Sequence, residues 1–193
     1  MKNPLEKLSA TVALGAVLAI ILLLVSGVGS LDQLWWAGFF RYLHVITGVM
    51  WIGLLYYFNF VQMPTMPKIP NELKPGVSKH IAPAALFWFR WAAAFTVLFG
   101  LITAWLSGYL PALWQIGASP RFTMIGLGMW MALIMAFNVW FVIWPNQQRA
   151  LGLVEADADT KAKSARTAML FSRFNTFFSV GMLLAMVMAK VLG

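Results

Sequence analysis

One stretch of the chain, FFRYLHVITGVMWIGLLYYFNFVQ from residue 39 to 62, is apolar enough for a membrane helix but contains an arginine, a histidine, an asparagine and a glutamine. Steps of three and four residues place these polar groups on one helical face, with a glycine, a tryptophan and a leucine between them. We expect this stripe to face protein or a cofactor rather than lipid. Its members are Arg41, His44, Gly48, Trp51, Leu55, Asn59 and Gln62.

His44 is the residue of this stripe with the widest chemical repertoire. It could be the axial ligand of a haem b, with Arg41 one turn away to pair with a propionate and Trp51 beside the cofactor. It could also relay protons, or hydrogen-bond to another helix. The chain has no cysteine, and with 12 methionines a methionine could be the sixth ligand to the iron. The second histidine, His80, cannot share a haem with His44, because the helix from His44 to Val61 alone is about 25 Å long.

A second set of polar residues gathers, by helical depth, near the opposite membrane face. Two interpretations stay open for it: a site for a small polar or anionic ligand, or amides that lock helices together. Its two arginines lie close enough to the interface to snorkel. The set consists of Asn59, Gln62, Arg90, Asn138, Asn146, Gln147, Arg173 and Asn175.

The composition predicts the elements that position these groups. The chain is 61% hydrophobic and 10% charged, whereas soluble domains are about 45–50% apolar and about 25% charged. This predicts an all-α integral membrane protein, a single domain over residues 1–193 whose five helices each cross a core of about 30 Å. The predicted spans are 8–28, 34–61, 82–106, 122–144 and 168–189. Five prolines between Pro64 and Pro83 predict a loop without a long helix after the second span.

The basic residues predict the orientation. Most Lys and Arg flank the helices on the side of the N-terminus, whereas Arg121 and Lys190 flank them on the other side. The positive-inside rule then predicts a multi-pass protein of the bacterial inner membrane, with a cytoplasmic N-terminus and a periplasmic C-terminus. The net charge of +8 is explained by this topology and does not indicate a nucleic-acid partner.

The spans offer no arrangement for hydrolysis. No carboxylate lies within any of them, and their Ser and Thr residues lack a nearby base. Redox chemistry by a bound cofactor or a quinone is the class of activity that fits. The competing class is non-enzymatic: an accessory or assembly subunit of a larger respiratory or photosynthetic membrane complex, in which the polar stripe serves helix packing.

Four stretches in helices two to five carry a family resemblance. They are RYLHVITGVMWIGLLYYFNFVQ (41–62), IMAFNVWFVIWPNQQ (134–148), SRFNTFFSVGMLLAMV (172–187) and, more weakly, FWFRWAAAFTVLFGLI (87–102). The chain is similar here to the membrane part of the bacterial membrane-bound urate oxidase (urate hydroxylase) family. The strings R-x-x-H-x-x-x-G-x-x-W-I-G and N-V-x-F-x-I-x-P-x-Q are the most specific part of the match.

The resemblance implies an inner-membrane helical bundle tied to urate oxidation, with electrons passing to a fused cytochrome c domain. The sequence to Gly193 contains no C-x-x-C-H haem attachment site and ends MAKVLG, where the family is expected to have a histidine. A separate acceptor, a cytochrome c or a larger membrane complex, is therefore the expected partner, alongside membrane lipids and a second copy of the chain. Matching positions imply functional roles for Arg41, His44, Gly48, Trp51, Gly53, Asn138, Pro145, Gln147, Arg173 and Asn175.

Overall fold

The computed structural model describes residues 3–25 and 31–192, which contain helices and no strand. Within them, five helices are long and apolar enough to cross a membrane, so the predicted all-helical class and number of spans are confirmed. The orientation stays a prediction, and residues 26–28 of the first predicted span lie outside the described residues. The helices are α1 (Leu8–Val25), α2 (Gln33–Lys68), α3 (Lys74–Leu106), α4 (Pro120–Ala150) and α5 (Ala158–Val191).

The chain divides into two compact units. The first, residues 1–36, contains α1, in which no residue is buried against protein. The second, residues 37–193, contains most of α2 and all of α3, α4 and α5. All residues of the candidate site described below belong to this second unit.

Three helices continue through prolines. Pro64, Pro83 and Pro145 each follow a π-helical segment: Tyr57–Gln62, Val77–Ile81 and Asn138–Ile143. A proline ring lacks the N–H donor and collides with the carbonyl four residues earlier. Widening the preceding turn to hydrogen bonds of five-residue spacing removes the collision. The expectation of a long non-helical connection after α2 was therefore wrong: α2 reaches Lys68 and α3 begins at Lys74.

Proline and polar caps also lengthen α4 and α5 beyond the predicted spans. α4 begins at Pro120, since the Ser119 hydroxyl accepts a hydrogen bond from the Phe122 N–H at 3.1 Å. α5 begins at Ala158, where the Asp157 carboxylate accepts from the Thr160 N–H at 2.8 Å. Both helices extend past the apolar spans, as their good helix formers favour.

The core lies where α2, α3 and α4 meet. Trp51, Leu55 and Phe89 are the largest apolar side chains that are fully buried, and Phe58 meets Phe89 edge-on with ring centroids 5.6 Å apart. α5 joins this core through a stripe of mostly small buried residues, which lets its backbone approach α4 closely. The stripe consists of Ser164, Ala168, Ser172, Asn175, Ser179, Met182, Ala185 and Ala189.

Candidate functional site

A cavity of about 910 Å³ lies among α2, α3, α4 and α5. Along α2 it extends from Arg41 to Tyr56, a distance of about 22 Å at the helical rise. Its body is lined by aliphatic residues and by Met129, Met182 and Met186, and no carboxylate lines it. Cavities of roughly 300–1,000 Å³ with an apolar lining and a few polar groups are typical ligand sites.

His44 lines this cavity, and its imidazole is held by the backbone of α3. Nδ1 lies 2.7 Å from the carbonyl oxygen of Thr96. Because a carbonyl can only accept, Nδ1 must carry the proton in this contact, so the lone pair of a neutral ring is on Nε2. Among the described residues Nε2 has no hydrogen-bond partner, and it is not one of the occluded polar atoms. The ring therefore presents a free nitrogen lone pair to the cavity.

Glycines make room for the ring and for the space beside it. A Cβ at Gly100 would lie 2.8 Å from the imidazole Nδ1 and Cε1, so only glycine fits behind His44. A Cβ at Gly53 would meet no atom within 4 Å, and one at Gly48 would meet only the Thr96 methyl at 3.7 Å. Gly48 and Gly53 both line the cavity. These two glycines thus widen the cavity, whereas Gly100 accommodates the histidine.

One end of the cavity carries cationic groups. Arg41, Arg121 and Lys190 line it there, together with the phenol of Tyr109. The Arg41 guanidinium donates to the Ser107 hydroxyl at 3.3 Å, in the turn that ends α3. A ligand that is apolar along most of its length and anionic at one end matches this distribution. Sequence reasoning found Arg41 here but missed Tyr109, Arg121 and Lys190, which loop and helix ends bring together.

Two of the predicted inner amides bind each other. Asn138 on α4 donates to the Asn175 side-chain oxygen at 3.0 Å, and Asn175 donates to the Met135 carbonyl at 2.9 Å. Both asparagines are buried, Asn175 completely. The pair satisfies polar groups across the α4–α5 contact.

Asn59 and Tyr56 tie α2 to α5 in the same half of the bundle. The Asn59 amide donates to the Ser172 hydroxyl at 2.8 Å and to its own helix at Leu55. The Tyr56 hydroxyl donates to Ser179 at 3.0 Å, because the Ser179 proton is directed to the Thr176 carbonyl. Ser172 and Ser179 were not among the predicted site residues, although their spacing places both on the buried face of α5.

The remaining predicted residues take separate positions. The Arg90 guanidinium lies over the rings of Trp144, at 3.4 Å from the centroid, and Trp140, at 5.6 Å. Asn146 donates to its own helix at Val142. Arg173 is exposed, Gln147 is half-buried, and the half-buried Gln62 has an occluded side-chain oxygen without a partner. His80 is exposed, and about 24 Å of helix separates it from the Thr96 contact of His44.

The two predicted sets therefore differ in what surrounds them. Arg41, His44 and Trp51 line the cavity, whereas none of the inner residues does. The inner set breaks into the Asn138–Asn175 pair, the Asn59–Ser172 bond and the Arg90 stack. Its assignment as a ligand site stays a prediction, and the contacts made by these amides are those of helix packing.

Over residues 3–25 and 31–192, fold and site together define an all-helical architecture with five membrane-length helices and a cavity beside His44. Residues 102–191 match the family model described as urate oxidase N-terminal, which confirms the predicted resemblance. This segment holds the end of α3 and all of α4 and α5, including Asn138 and Asn175, and begins after His44. No curated protein and no solved structure matches the chain.

Proposed function

We propose that this protein is an electron-transfer domain of the bacterial inner membrane that holds haem b in the His44 cavity. The observation that carries the proposal is the Nδ1–H contact of His44 with the Thr96 carbonyl at 2.7 Å. Histidines that bind metals almost always donate their other ring N–H to a carbonyl or carboxylate, which fixes the tautomer and orients the ring. Here that arrangement leaves Nε2 available inside an apolar cavity.

The residues present fit the chemistry of a haem in three further ways. The apolar lining suits a porphyrin ring, and the glycines at 48 and 53 leave space that no side chain fills. Arg41 and Lys190, at one end of the cavity, suit two propionates. Met129, Met182 and Met186 offer thioethers for the second axial position.

When bound, the haem supplies one-electron redox chemistry, because its iron alternates between the ferric and ferrous states. The protein orients the His44 ring through Thr96, excludes water with the aliphatic lining, and neutralises anionic groups with the cations at the Arg41 end. These contributions set the potential at which an electron is accepted. Urate oxidation is the reaction that the family description suggests.

Absorption spectroscopy of the purified protein tests the proposal. We expect b-type bands that sharpen on addition of dithionite, and we expect His44→Ala to abolish them. His80→Ala serves as the matched control, since His80 is exposed and remote from the cavity, and should keep the wild-type spectrum. A colourless wild-type protein, after expression with ample haem, would overturn the proposal and favour the non-enzymatic accessory subunit.

A further inference from the structure

The cavity has a side opening between α2 and α5. Val45 and Val49 on α2 and Leu183 and Val187 on α5 all line the cavity. The same four side chains are also 42–70% exposed, more than their positions in a closed cavity wall would allow. Residues that border both the cavity and the outside mark a passage, and this passage is aliphatic on both sides.

The other helix pairs around the cavity each have at least one close approach. Between α2 and α3, the His44 ring lies against Gly100 and the Thr96 methyl lies against Gly48. Between α4 and α5, a Cβ at Gly128 would lie 3.3 Å from the Ala185 methyl. Above the α3–α4 contact, the turn at Leu110–Leu113 packs so tightly that a Cβ at Gly126 would collide with the Ala112 carbonyl oxygen.

The positions of the polar contacts explain why α2 and α5 separate here. Their bonds, Tyr56 to Ser179 and Asn59 to Ser172, lie in the half of the bundle away from His44. Towards His44, α2 presents Gly53, at which a Cβ would meet no atom within 4 Å. Small residues without a partner helix leave a gap instead of a contact.

We infer that this opening admits an isoprenoid quinol from the bilayer to the His44 cavity, so that the electron donor of the protein is lipid-soluble. The inference rests on the proposed function, because the quinol needs a redox partner in the cavity. An opening that borders hydrocarbon and carries only aliphatic side chains selects a molecule dissolved in the membrane and excludes ionic reductants. Quinols are the class of membrane-dissolved molecules that donate electrons near neutral pH.

The electron balance is simple. One quinol becomes a quinone by giving up two electrons and two protons. The electrons reduce two ferric haems to the ferrous state, one in each of two protein molecules that the quinol species visits in turn. The protons pass to water, and the polar end at Arg41 and Tyr109 is the nearest part of the cavity with hydrogen-bonding groups.

Anaerobic mixing of the ferric holoprotein with decylubiquinol tests the inference, with haem absorption as the readout. Val49→Trp and Leu183→Trp place an indole in the opening, and we expect each to slow quinol-dependent reduction by about tenfold or more. Val180→Trp is the matched control, because Val180 is 65% exposed on α5 but does not line the cavity. The quinol-dependent rate of each variant is expressed per haem that dithionite reduces, so that a loss of bound haem is not read as slower quinol access.

The outcomes separate the two proposals. If dithionite reduces the wild-type haem but the quinol does not, or if the opening variants react as fast as Val180→Trp, the quinol inference is overturned and the haem proposal stands. If the wild-type protein contains no haem, the proposed function fails and the quinol inference falls with it.

Discussion

The two halves of the bundle differ in how closely their helices pack. In the half around Asn175, amides, serines and aromatic rings contact one another and fill the interior. In the half around His44, the helices enclose a cavity of about 910 Å³ and leave α2 and α5 apart.

Polar side chains and glycines make the difference. In membranes, helix association depends on close packing and interhelical hydrogen bonds, because lipid is as apolar as the helices. The Asn175 half supplies these bonds between α4 and α5 and between α2 and α5. In the His44 half, the side chain of His44 bonds only to α3 and leaves the rest of its surroundings open. The half around Asn175 is thus closed by interhelical hydrogen bonds, whereas the half around His44 is open.

Alanine substitutions of glycine should give the largest contrast. Gly126→Ala places a methyl group against the Ala112 carbonyl, and we expect the free energy of unfolding to fall by about 2–3 kcal/mol, as for other overpacked sites. Gly53→Ala enters open space and should leave stability unchanged or raise it by up to about 1 kcal/mol, from helix propensity. Unfolding by SDS titration in micelles measures both changes. Equal destabilisation at the two positions would mean that the cavity is filled by protein.

The amide pair should give the next largest effect. Asn175→Leu removes the donor to Met135 and the acceptor of Asn138, and we expect a loss of about 1–2 kcal/mol in the same titration. Asn138→Leu should cost less, because Asn175 keeps its bond to Met135. The double variant should be less destabilised than the sum of the two single variants. Additive losses would show that the pair does not act as a unit.

Arg90 should contribute less, since it lies at the edge of the closed half. Its guanidinium stacks on Trp144 and faces Trp140, and we expect Arg90→Gln to lower the free energy of unfolding by about 1 kcal/mol. In the Trp144→Leu background the same change should cost clearly less. Arg173→Gln is the control, because Arg173 is exposed and makes no hydrogen bond, ion pair or ring contact with the described residues. If Arg173→Gln lowers the free energy of unfolding as much as Arg90→Gln, the loss comes from removing a positive charge and not from the stacking of Arg90.

The sequence predicts the spans and the stripe on α2 because both depend on local periodicity. Trp51 and Leu55 are fully buried, as a stripe facing protein requires. The partner of each polar residue depends on helix register, which no local pattern encodes. Asn59 and Asn175 lie at similar predicted depth, yet Asn59 bonds Ser172 and Asn175 bonds Asn138.

The structural effects of prolines and glycines are also not predicted by local sequence alone. Pro83 predicts a helix end locally, but the preceding π-helical turn at Val77–Ile81 absorbs the ring and α3 continues. Glycines in an apolar helix often mark close packing, yet Gly48 and Gly53 on α2 border the cavity. The glycines that pack closely are Gly126 and Gly128 on α4. What a glycine does is decided by the neighbouring helix, which is why the cavity was not predicted.

The smallest effect should come from the N-terminal end of α5, the helix that contributes Asn175 and Ser172 to the closed half. The hydrogen bonds from the Thr160 side chain and backbone hold the pKa of the Asp157 carboxyl below its ordinary value. A group whose pKa is lower when folded contributes stability above its unfolded pKa, about 3.9, and loses it as pH falls through the folded pKa. Because the carboxylate is fully exposed, we expect only a small fall in melting temperature below about pH 4.

Asp157→Asn is the matched variant, since asparagine also caps helices but does not titrate in this range. Thermal unfolding between pH 6 and pH 3 should show wild type and variant converging as the pH falls, because protonation removes the charge that distinguishes them. A variant that loses stability with pH as steeply as wild type would assign the acid sensitivity to another carboxylate. In that case the N-terminal cap would stabilise α5 through its hydrogen bonds and not through the charge of Asp157.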